Sequence, residues 1–351
     1  MSPHQDTPPS SGNHATMTAG AVQQPAITNT TGRRPLPPGV YVPTPAFFDP
    51  VTEDIDVPTT ASHAVRLAQA GVAGLTTQGS NGEAVHLSRE ERNLITQTTR
   101  SALDAAGFTS LPVLVGCGAQ STRETIQLCR DAHASGGDYA LILPPAYYQG
   151  LFAAGSATGT VATFFGDVAA ASPVPVLIYN YPGAAGGLDL SSDAIVALAR
   201  AHPNIVGVKL TCGNTGKLAR VAAATAATTT GGRTGSGFLC AGGSADFTLQ
   251  TLVAGGSGVI AGLANVAPKA CVRLVTLYER GELEAARELQ AVVARGDWGA
   301  IQGGVVGTKS ALASWFGYGG YARKPLPRPG KEEAARWKGL FEELVEVEKG
   351  L

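Results

Sequence analysis

The chain has 351 residues, of which 44% are hydrophobic and only 15% are charged, and 45 of them are glycine. Because an average globular protein carries roughly 25% charged residues, this composition excludes disorder over most of the chain. The 26 lysines and arginines balance 27 aspartates and glutamates. No basic surplus is therefore present to bind a phosphate backbone, and we expect no nucleic-acid partner.

Residues 1–36 are predicted to form a disordered tail, since they are rich in Ser, Thr, Pro, Gly and Gln and lack an apolar run. They contain neither the apolar core of a signal peptide nor a membrane span. Arg33 and Arg34, with Asp6 and several prolines nearby, make a poor mitochondrial presequence.

The cysteine pattern bears on the cellular compartment. Five scattered cysteines are present: Cys117, Cys129, Cys212, Cys240 and Cys271. An odd number without any CxxC pair fits neither a disulfide framework nor a cysteine zinc site. We therefore expect reduced thiols in a cytoplasmic protein. Because the sequence contains no membrane span, we also expect no membrane contact.

From residue 39 onward, short apolar runs alternate with polar turns and helical stretches. Eight such runs occupy residues 39–48, 71–80, 111–119, 139–145, 174–182, 205–211, 237–243 and 256–263. Their starts are on average about 31 residues apart, which is the length of a βαβ unit. Continuous apolar strands covered by helices indicate a parallel sheet that is buried on both faces.

The segments between the runs carry helix signals. Ser88 with Glu91 and Ser121 with Glu124 have the spacing of capping boxes. Eight strand–helix units over residues 37–264 predict an α/β fold, a closed (β/α)₈ TIM barrel. Residues 265–351 are predicted to be helices packed on the barrel, interrupted by a glycine-rich stretch at 303–320. An open doubly wound sheet is the alternative, but no GxGxxG follows the first strand.

Lysine is the most informative residue type in this chain. There are eight lysines, and the first, Lys209, lies inside the sixth apolar run, IVGVKLT. A lysine buried in a strand is costly unless it is paired or desolvation lowers its pKa, and a lowered pKa is what a Schiff-base nucleophile needs. The alternative is a strand-end lysine that points to solvent or to a structural carboxylate.

Two further strand ends could carry chemistry, because reactive residues of such barrels lie at the carboxyl ends of the strands. Tyr179 ends the fifth run, where its phenol could transfer a proton, or could simply fill the core. The second run ends in GSNGE, Gly79 to Glu83. Small residues with exposed N–H groups can bind a carboxylate there, although an ordinary turn has the same composition.

Metal and nucleotide chemistry are disfavoured. The six histidines lack HxxxH and HExxH spacing, so no ligand set for a metal is visible and none is expected. The segment GNTGK, Gly213 to Lys217, is like part of a phosphate loop. Its spacing is too short, however, and Leu218 stands where Ser or Thr is required.

Five motifs in order resemble one enzyme family. They are GSNGE after strand 2, PPAYY after strand 4, YNYPG at strand 5, GVKLTCGN at strand 6 and GGSGVIAGLANV at strand 8. Over about residues 38–300 the chain is similar to the dihydrodipicolinate synthase / N-acetylneuraminate lyase family of class I pyruvate aldolases. The resemblance implies a Schiff-base enzyme that needs no cofactor.

The resemblance also implies roles for individual residues. Lys209 would form the Schiff base with the C2 carbonyl of a 2-oxo acid, and Tyr179 beside it would transfer protons. Ser80 would link Tyr179 to Tyr148, which in the family is donated by a neighbouring subunit. Ser80 and Asn81 would hold the substrate carboxylate. A homodimer or homotetramer is therefore expected.

Three more positions are implied to contact substrate. Ile260 would line the floor near the iminium, and Gly79 and Gly242 would belong to the binding site. One position departs from the pattern, because dihydrodipicolinate synthases carry an arginine where this chain has Ala184, in YNYPGAAGG. A methyl group cannot replace a guanidinium that pairs with the carboxylate of aspartate semialdehyde.

Other segments indicate a narrower group. GSNGE and HPNIVGVK resemble 4-hydroxy-2-oxoglutarate aldolases, and KLTCGNTGKLARV is more similar to fungal 2-keto-3-deoxy-L-galactonate (L-threo-3-deoxy-hexulosonate) aldolases of galacturonate breakdown. The implied reaction is cleavage of that sugar acid to pyruvate and L-glyceraldehyde. The alternatives are cleavage of 4-hydroxy-2-oxoglutarate, dihydrodipicolinate synthesis, and a non-catalytic protein that binds oxo acids.

Overall fold

A closed barrel of eight parallel strands forms the centre of the protein. The computed structural model describes residues 34–152, 157–230 and 235–351. The strands are β1 (Gly39–Pro43), β2 (Gly74–Thr77), β3 (Val113–Gly116), β4 (Tyr139–Ile142), β5 (Val176–Asn180), β6 (Ile205–Leu210), β7 (Leu239–Gly242) and β8 (Gly258–Ile260). They pair in chain order, and β8 closes on β1. Every strand lies inside a predicted apolar run, so the predicted TIM barrel is confirmed.

Helices follow the strands and cover the barrel. The first eight are α1 (Val57–Gln69), α2 (Arg89–Ala105), α3 (Thr122–Ala134), α4 (Ala157–Ala171), α5 (Ser192–Ala201), α6 (Thr215–Thr225), α7 (Thr248–Val253) and α8 (Pro268–Glu279). Three more follow them: α9 (Leu283–Phe316), α10 (Lys331–Leu340) and α11 (Glu342–Gly350). None of the helices in the described ranges is long and apolar enough to cross a membrane.

The predicted helix starts are confirmed in part. Ser88 and Glu91 form a complete capping box, in which each side chain binds the other residue's backbone N–H. At Ser121 the side chain accepts a hydrogen bond from the N–H of Glu124. Glu124 does not return one within the described chain, so this end carries a simple N-cap.

Two apolar layers hold the barrel together. A large layer lies between strands and helices, and a smaller cluster fills the barrel interior. The interior cluster contains Tyr41, Leu114, Tyr139, Leu141, Leu177, Tyr179, Val206, Leu239, Ala241 and Ile260. Since successive side chains of a strand point to opposite faces, the inward positions are set by register. That register decides which polar side chains reach the mouth of the barrel.

Helix α9 lies against the barrel and joins two of its loops. Gln290 binds the loop after β7, where it donates to the carbonyls of Ala245 and Asp246. Farther along, Lys309 forms a buried ion pair with Glu83 in the loop after β2. The predicted interruption at 303–320 was wrong over residues 305–316, which are helical. Only Gly304 leaves the helical conformation, with φ 53° and ψ −146°.

The predicted disordered tail lies largely outside the described residues. The predicted tail is covered only from Arg34 onward, and Arg34 is held by Asp138 at 3.0 Å and by the hydroxyl of Tyr139. Residues 221–225 of the low-complexity stretch 221–236 finish α6, and residues 231–234 of that stretch are not described.

Candidate active site

A cavity of about 180 Å³ opens at the carboxyl ends of the strands. Its barrel side is formed by Pro43, Ser80, Asn81, Tyr179, Tyr181, Lys209, Thr211, Gly243, Ser244 and Gly262. Helix α9 supplies the rest of the lining, with Asp297, Ala300, Ile301, Gly304 and Thr308. The cavity therefore brings together four of the residues singled out from the sequence: Lys209, Tyr179, Ser80 and Asn81.

Lys209 and Tyr179 form the centre of this site. They are directly paired in register on β6 and β5. Both neighbours of Lys209 on β6, Val208 and Leu210, pack in the outer layer, so Lys209 points inward. Its side chain is only 5% exposed. Lys209 Nζ lies 3.1 Å from the phenolic oxygen of Tyr179, and the Tyr179 ring stacks on Tyr181.

The loop after β2 presents unpaired donors to the same cavity. The backbone N–H groups of Ser80 and Asn81 donate no hydrogen bond within the described part of the chain. Asn81 packs closely on Gly262, where a Cβ would lie 2.4 Å from the Asn81 amide nitrogen. Arg92 holds the loop from outside through the carbonyl of Ala84 at 2.8 Å. Fixed N–H groups of this kind can bind a carboxylate.

The predicted proton relay is incomplete in the single chain. Ser80 and Tyr179 line one cavity, but no hydrogen bond joins them among the described residues. Tyr148 is 62% exposed, packs edge-on against Tyr147, and lines a separate groove beside Phe152. The family resemblance implies that Tyr148 enters a neighbouring subunit, and its role stays a prediction.

The remaining predicted positions differ in their placement. Ile260 is fully buried and packs in the interior cluster with Tyr179. Gly79 is buried in the loop beside Pro43. Gly242 faces away from the cavity, since a Cβ there would lie 2.6 Å from the Thr251 hydroxyl on α7. The next residue, Gly243, lines the cavity instead.

Two hydroxyl residues of the site were missed by sequence reasoning. Thr211 stands two positions after Lys209, and its hydroxyl is buried without a partner in the described chain. A Cβ on Gly243 would lie 2.0 Å from that hydroxyl oxygen, so only glycine leaves it room. The second of these residues, Ser244, comes directly after Gly243. The sequence contains a signal for it, because the GGS motif directly after an apolar run marks the carboxyl end of β7.

Asp297 on α9 was also missed. Its Oδ2 atom accepts three hydrogen bonds, from the Ser244 hydroxyl at 2.6 Å and from the N–H groups of Ala245 at 2.7 Å and Asp246 at 2.9 Å. Its Oδ1 atom accepts none within the described residues. Burial raises the pKa of Asp297 to about 6, and the nearby charge of Asp246 adds to this, although the Ser244 hydrogen bond opposes it.

The charge of the cavity wall is uneven. Among the described residues that line it, Lys209 is the one cation, and Asp297 is the one carboxylate. Ala184 is exposed in a short helical turn and does not reach the cavity. A substrate with a carboxylate at its far end would therefore find no cation besides Lys209 among these described lining residues.

The GNTGK segment has a structural role. Asn214 caps α6 by accepting a hydrogen bond from the Lys217 N–H at 2.8 Å. The Lys217 ammonium pairs with Asp189, which also binds Asn180 at the end of β5. In the ranges that the structure covers, no three His, Cys, Asp or Glu side chains are grouped to hold a metal ion.

Comparison with known proteins identifies similar chains. Residues 48–338 match the Dihydrodipicolinate synthetase family. An Emericella nidulans protein named "Probable 4-hydroxy-2-oxoglutarate aldolase, mitochondrial" is 59% identical, covering 91% of this chain and 98% of its own. Proteins named "L-threo-3-deoxy-hexylosonate aldolase" from Hypocrea jecorina and Aspergillus niger are 52% and 48% identical, and each comparison covers 90% of this chain and 98% of the relative.

A solved structure supports the same similarity. The crystal structure of a dihydrodipicolinate synthase family protein from Coccidioides immitis has a TM-score of 0.78 and 34% sequence identity. It covers 91% of this chain and 99% of that chain. The similarity thus extends over the barrel and the carboxyl-terminal helices together.

Proposed function

This chain belongs to the dihydrodipicolinate synthetase family, and from that premise we propose that it is a Schiff-base lyase acting on a 2-keto-3-deoxy sugar acid. Its preferred substrate is 2-keto-3-deoxy-L-galactonate (L-threo-3-deoxy-hexulosonate), which it cleaves to pyruvate and L-glyceraldehyde. One observation carries the proposal. A buried amine, Lys209 Nζ, lies 3.1 Å from the phenol of Tyr179 at the wall of a cavity with free N–H groups.

The reaction follows from these groups. The uncharged amine of Lys209 attacks the C2 carbonyl carbon, the C2 oxygen leaves as water with one proton from the amine and one from solvent, and a protonated iminium forms. The iminium takes up the electron pair of the C3–C4 bond as the C4 hydroxyl loses its proton. L-Glyceraldehyde departs, and the enamine of pyruvate stays on Lys209. Protonation at C3 and addition of water then release pyruvate and restore the amine.

Other residues of the cavity have positioning and proton-transfer roles. Tyr179 receives the C4 proton, with the Ser80 hydroxyl as relay and Tyr148 of a neighbouring subunit at its far end. The N–H groups of Ser80 and Asn81 bind the C1 carboxylate, which fixes C2 over Lys209. Thr211 also lines the cavity, and we assign its unpartnered hydroxyl to a hydroxyl of the sugar acid.

The charges that line the cavity favour the sugar acid over the alternative substrates. Both 4-hydroxy-2-oxoglutarate and aspartate semialdehyde bring a second carboxylate, and specific binding of a carboxylate usually uses an arginine or lysine. The described lining offers no cation besides Lys209, which is occupied by C2. A polyhydroxy end needs only neutral and acidic partners, which this cavity has.

Trapping with borohydride tests the chemistry. Incubation with pyruvate and borohydride is expected to reduce the iminium and to add mass at Lys209, as located by peptide mass spectrometry. Lys209→Met should give neither adduct nor turnover while it keeps the circular dichroism of the wild type. Failure of the wild type to form an adduct favours the non-catalytic alternative.

Pyruvate release from a substrate panel tests the assignment of substrate. 2-Keto-3-deoxy-L-galactonate, its C4 epimer and 4-hydroxy-2-oxoglutarate are compared by kcat/KM. The sugar acid is expected to be cleaved fastest. A large preference for the dicarboxylate contradicts the substrate assignment and leaves the Schiff-base mechanism standing.

Location and assembly belong to the same proposal. We place the enzyme in the cytoplasm, where a reducing environment suits five cysteines without disulfides. The Emericella relative carries a mitochondrial location in its name, so imaging of the full chain fused to a fluorescent protein at its carboxyl end decides between the two. A homodimer or homotetramer is expected in solution by light scattering.

A further inference from the structure

Among the described residues that line the cavity, one carboxyl group has an oxygen without a protein partner. Asp297 is only 2% exposed, yet it lines the cavity on the face that α9 contributes. Its Oδ2 atom is saturated by three donors from residues 244–246. Its Oδ1 atom has no protein partner in the described chain. Unlike Asp246 Oδ1, which is fully buried without a partner, Asp297 Oδ1 is accessible from the cavity, so a ligand bound there can supply its donor.

We propose that Asp297 determines specificity, with Oδ1 accepting a hydrogen bond from a hydroxyl at the distal, polyhydroxy end of the substrate. The inference rests on the proposed function and adds the group that recognises the end of the substrate remote from Lys209. A hydroxyl bound to a carboxylate makes one of the stronger neutral–charged hydrogen bonds. A distal carboxylate would instead face a like charge, and the described residues of the lining offer no cation besides Lys209.

The surroundings of Asp297 fit recognition and not only support of the fold. The three hydrogen bonds at Oδ2 fix the carboxyl plane, so Oδ1 has a set direction. Support of the neighbouring loop does not depend on Asp297 alone, because Gln290 on the same helix binds Ala245, Asp246 and Leu249. Gln290 does not line the cavity. A variant of Gln290 therefore changes only the anchoring of the loop, whereas a variant of Asp297 also changes the cavity wall.

The decisive variant is Asp297→Asn. Its amide oxygen can accept the three hydrogen bonds at the Oδ2 position, while an NH₂ group replaces the free oxygen. The kcat/KM for 2-keto-3-deoxy-L-galactonate is expected to fall by about tenfold to a hundredfold, as for loss of a hydrogen bond to a charged group. The kcat/KM for 4-hydroxy-2-oxoglutarate is expected to rise, because the repulsive charge is gone.

Gln290→Leu is the matched control. It removes anchors of the same loop from the same helix, so a merely structural role of Asp297 predicts that both variants lower activity on both substrates alike. The specificity proposal predicts that only Asp297→Asn changes the ratio of the two kcat/KM values. An unchanged ratio in Asp297→Asn, or an equal change in Gln290→Leu, overturns it.

Ile301→Lys approaches the same question without altering Asp297. Ile301 lies one helical turn after Asp297 on the cavity side and is 49% exposed, so an ammonium there is tolerated and falls within reach of the carboxylate. This variant should also shift the ratio toward the dicarboxylate, and no shift counts against the proposal.

Wild-type enzyme that traps pyruvate on Lys209 but cleaves neither substrate overturns the proposed function and this inference together. Cleavage by the wild type with no change in the variants overturns the inference alone.

Discussion

The amine of Lys209 lies 3.1 Å from the phenolic oxygen of Tyr179, because the two residues are register partners on neighbouring strands of the barrel. Parallel pairing leaves side chains of matched register on one face. The β5–β6 register shifts at residues 176–177, so Leu177 pairs with Gly207 and Tyr179 with Lys209. Without that irregularity the amine of Lys209 and the phenol of Tyr179 would not be opposite each other.

Removal of the phenol should slow catalysis without unfolding the protein. Tyr179→Phe is expected to lower kcat for pyruvate release by about 10²–10⁴, the usual contribution of a positioned acid–base group. The borohydride adduct at Lys209 should still form on prolonged incubation, because the amine is retained. Single-turnover measurements of C3–C4 cleavage check this.

Tyr41→Phe is the control for that substitution. Tyr41 is also a buried tyrosine of the barrel interior, and its hydroxyl donates to the Pro37 carbonyl at 2.6 Å, away from the cavity. Loss of this hydrogen bond should cost about 1 kcal/mol of stability and leave kcat near that of the wild type. If Tyr41→Phe lost as much activity as Tyr179→Phe, the loss would come from the packing of a buried tyrosine and not from proton transfer by Tyr179.

The strand-borne half of the site could be predicted from the sequence. Apolar runs marked the strands, and Lys209 stood out because a charged residue interrupts a buried run. The carboxyl ends of parallel strands meet at one edge, so the approximate position of Tyr179 and of the GSNGE loop followed. The sequence did not show that Gly243, and not Gly242, lines the cavity, because this depends on which of the two adjacent residues turns toward α7.

The helix-borne half could not be predicted in this way. The stripe that includes Ala286 and Val293 indicates that α9 packs on something, but helical periodicity does not say which surface it covers. That choice depends on contacts distant in sequence. Asp297 binds a loop more than 50 residues earlier, and Lys309 pairs with Glu83, which is 226 residues away. No local pattern encodes such pairings.

The kink in α9 should be sensitive to a single methyl group. Gly304 has φ 53° and ψ −146°, a conformation that is strained for any residue with a Cβ. Gly304→Ala should lower stability by roughly 1–3 kcal/mol and reduce kcat/KM, because Asp297 and Thr308 on either side of the kink line the cavity. Urea unfolding and pyruvate release measure the two effects.

Gly339→Ala is the matched control for the kink. Gly339 lies within α10, where a Cβ would meet nothing within 4 Å. An alanine there should therefore stabilise the helix by roughly 0.5–1 kcal/mol. If both alanine variants behave alike, the unusual backbone of Gly304 is not what positions α9.

The buried ion pair between Lys309 and Glu83 should be expensive to break. Both side chains are 1% exposed and lie 2.6 Å apart. Burial lowers the pKa of Lys309 to about 8, although the charge of Glu83 opposes this. Lys309→Met would leave the Glu83 carboxylate without its ammonium partner, and we expect a loss of about 3–5 kcal/mol in urea unfolding.

A double variant that removes both charges separates the cost of an unpaired charge from the cost of altered packing. Glu83→Gln combined with Lys309→Met should recover part of that loss, since no unpaired charge remains. Arg287→Ala, which breaks the exposed pair with Glu284 on the same helix, should change stability very little. A double variant that is less stable than Lys309→Met would contradict the unpaired-charge explanation.

The titration of Asp297 should appear in thermal stability. Its pKa in the folded protein is about 6, above the usual 3.8, chiefly because of burial. The facing titratable groups are Asp246 in the loop after β7 and Cys271 on α8. Since the folded-state pKa is raised, this carboxyl favours folding below its unfolded pKa, and that contribution is lost as the pH rises through 6.

Asp297→Asn removes the ionisable group and should therefore be more stable, relative to the wild type, at pH 7.5 than at pH 5. Calorimetry at both pH values measures this difference in Tm. Asp167→Asn on α4, at a residue exposed to solvent, serves as control and should give the same Tm difference at both. A pH-independent difference for Asp297→Asn would show that the buried carboxyl does not titrate between these values.

Mixing two inactive variants should show whether Tyr148 acts in its own site or in a neighbour's. Tyr148 is exposed on the single chain and does not line the cavity that holds Lys209. We expect Tyr148→Phe and Lys209→Met each to lose most activity, and co-expression of the two with different affinity tags to restore part of it in the doubly purified hybrid. In the hybrid, the protomer that keeps Lys209 can receive an intact Tyr148 from its partner. If Tyr148 serves its own chain, every hybrid site lacks one of the two groups and stays inactive, so recovery of pyruvate release distinguishes the two arrangements.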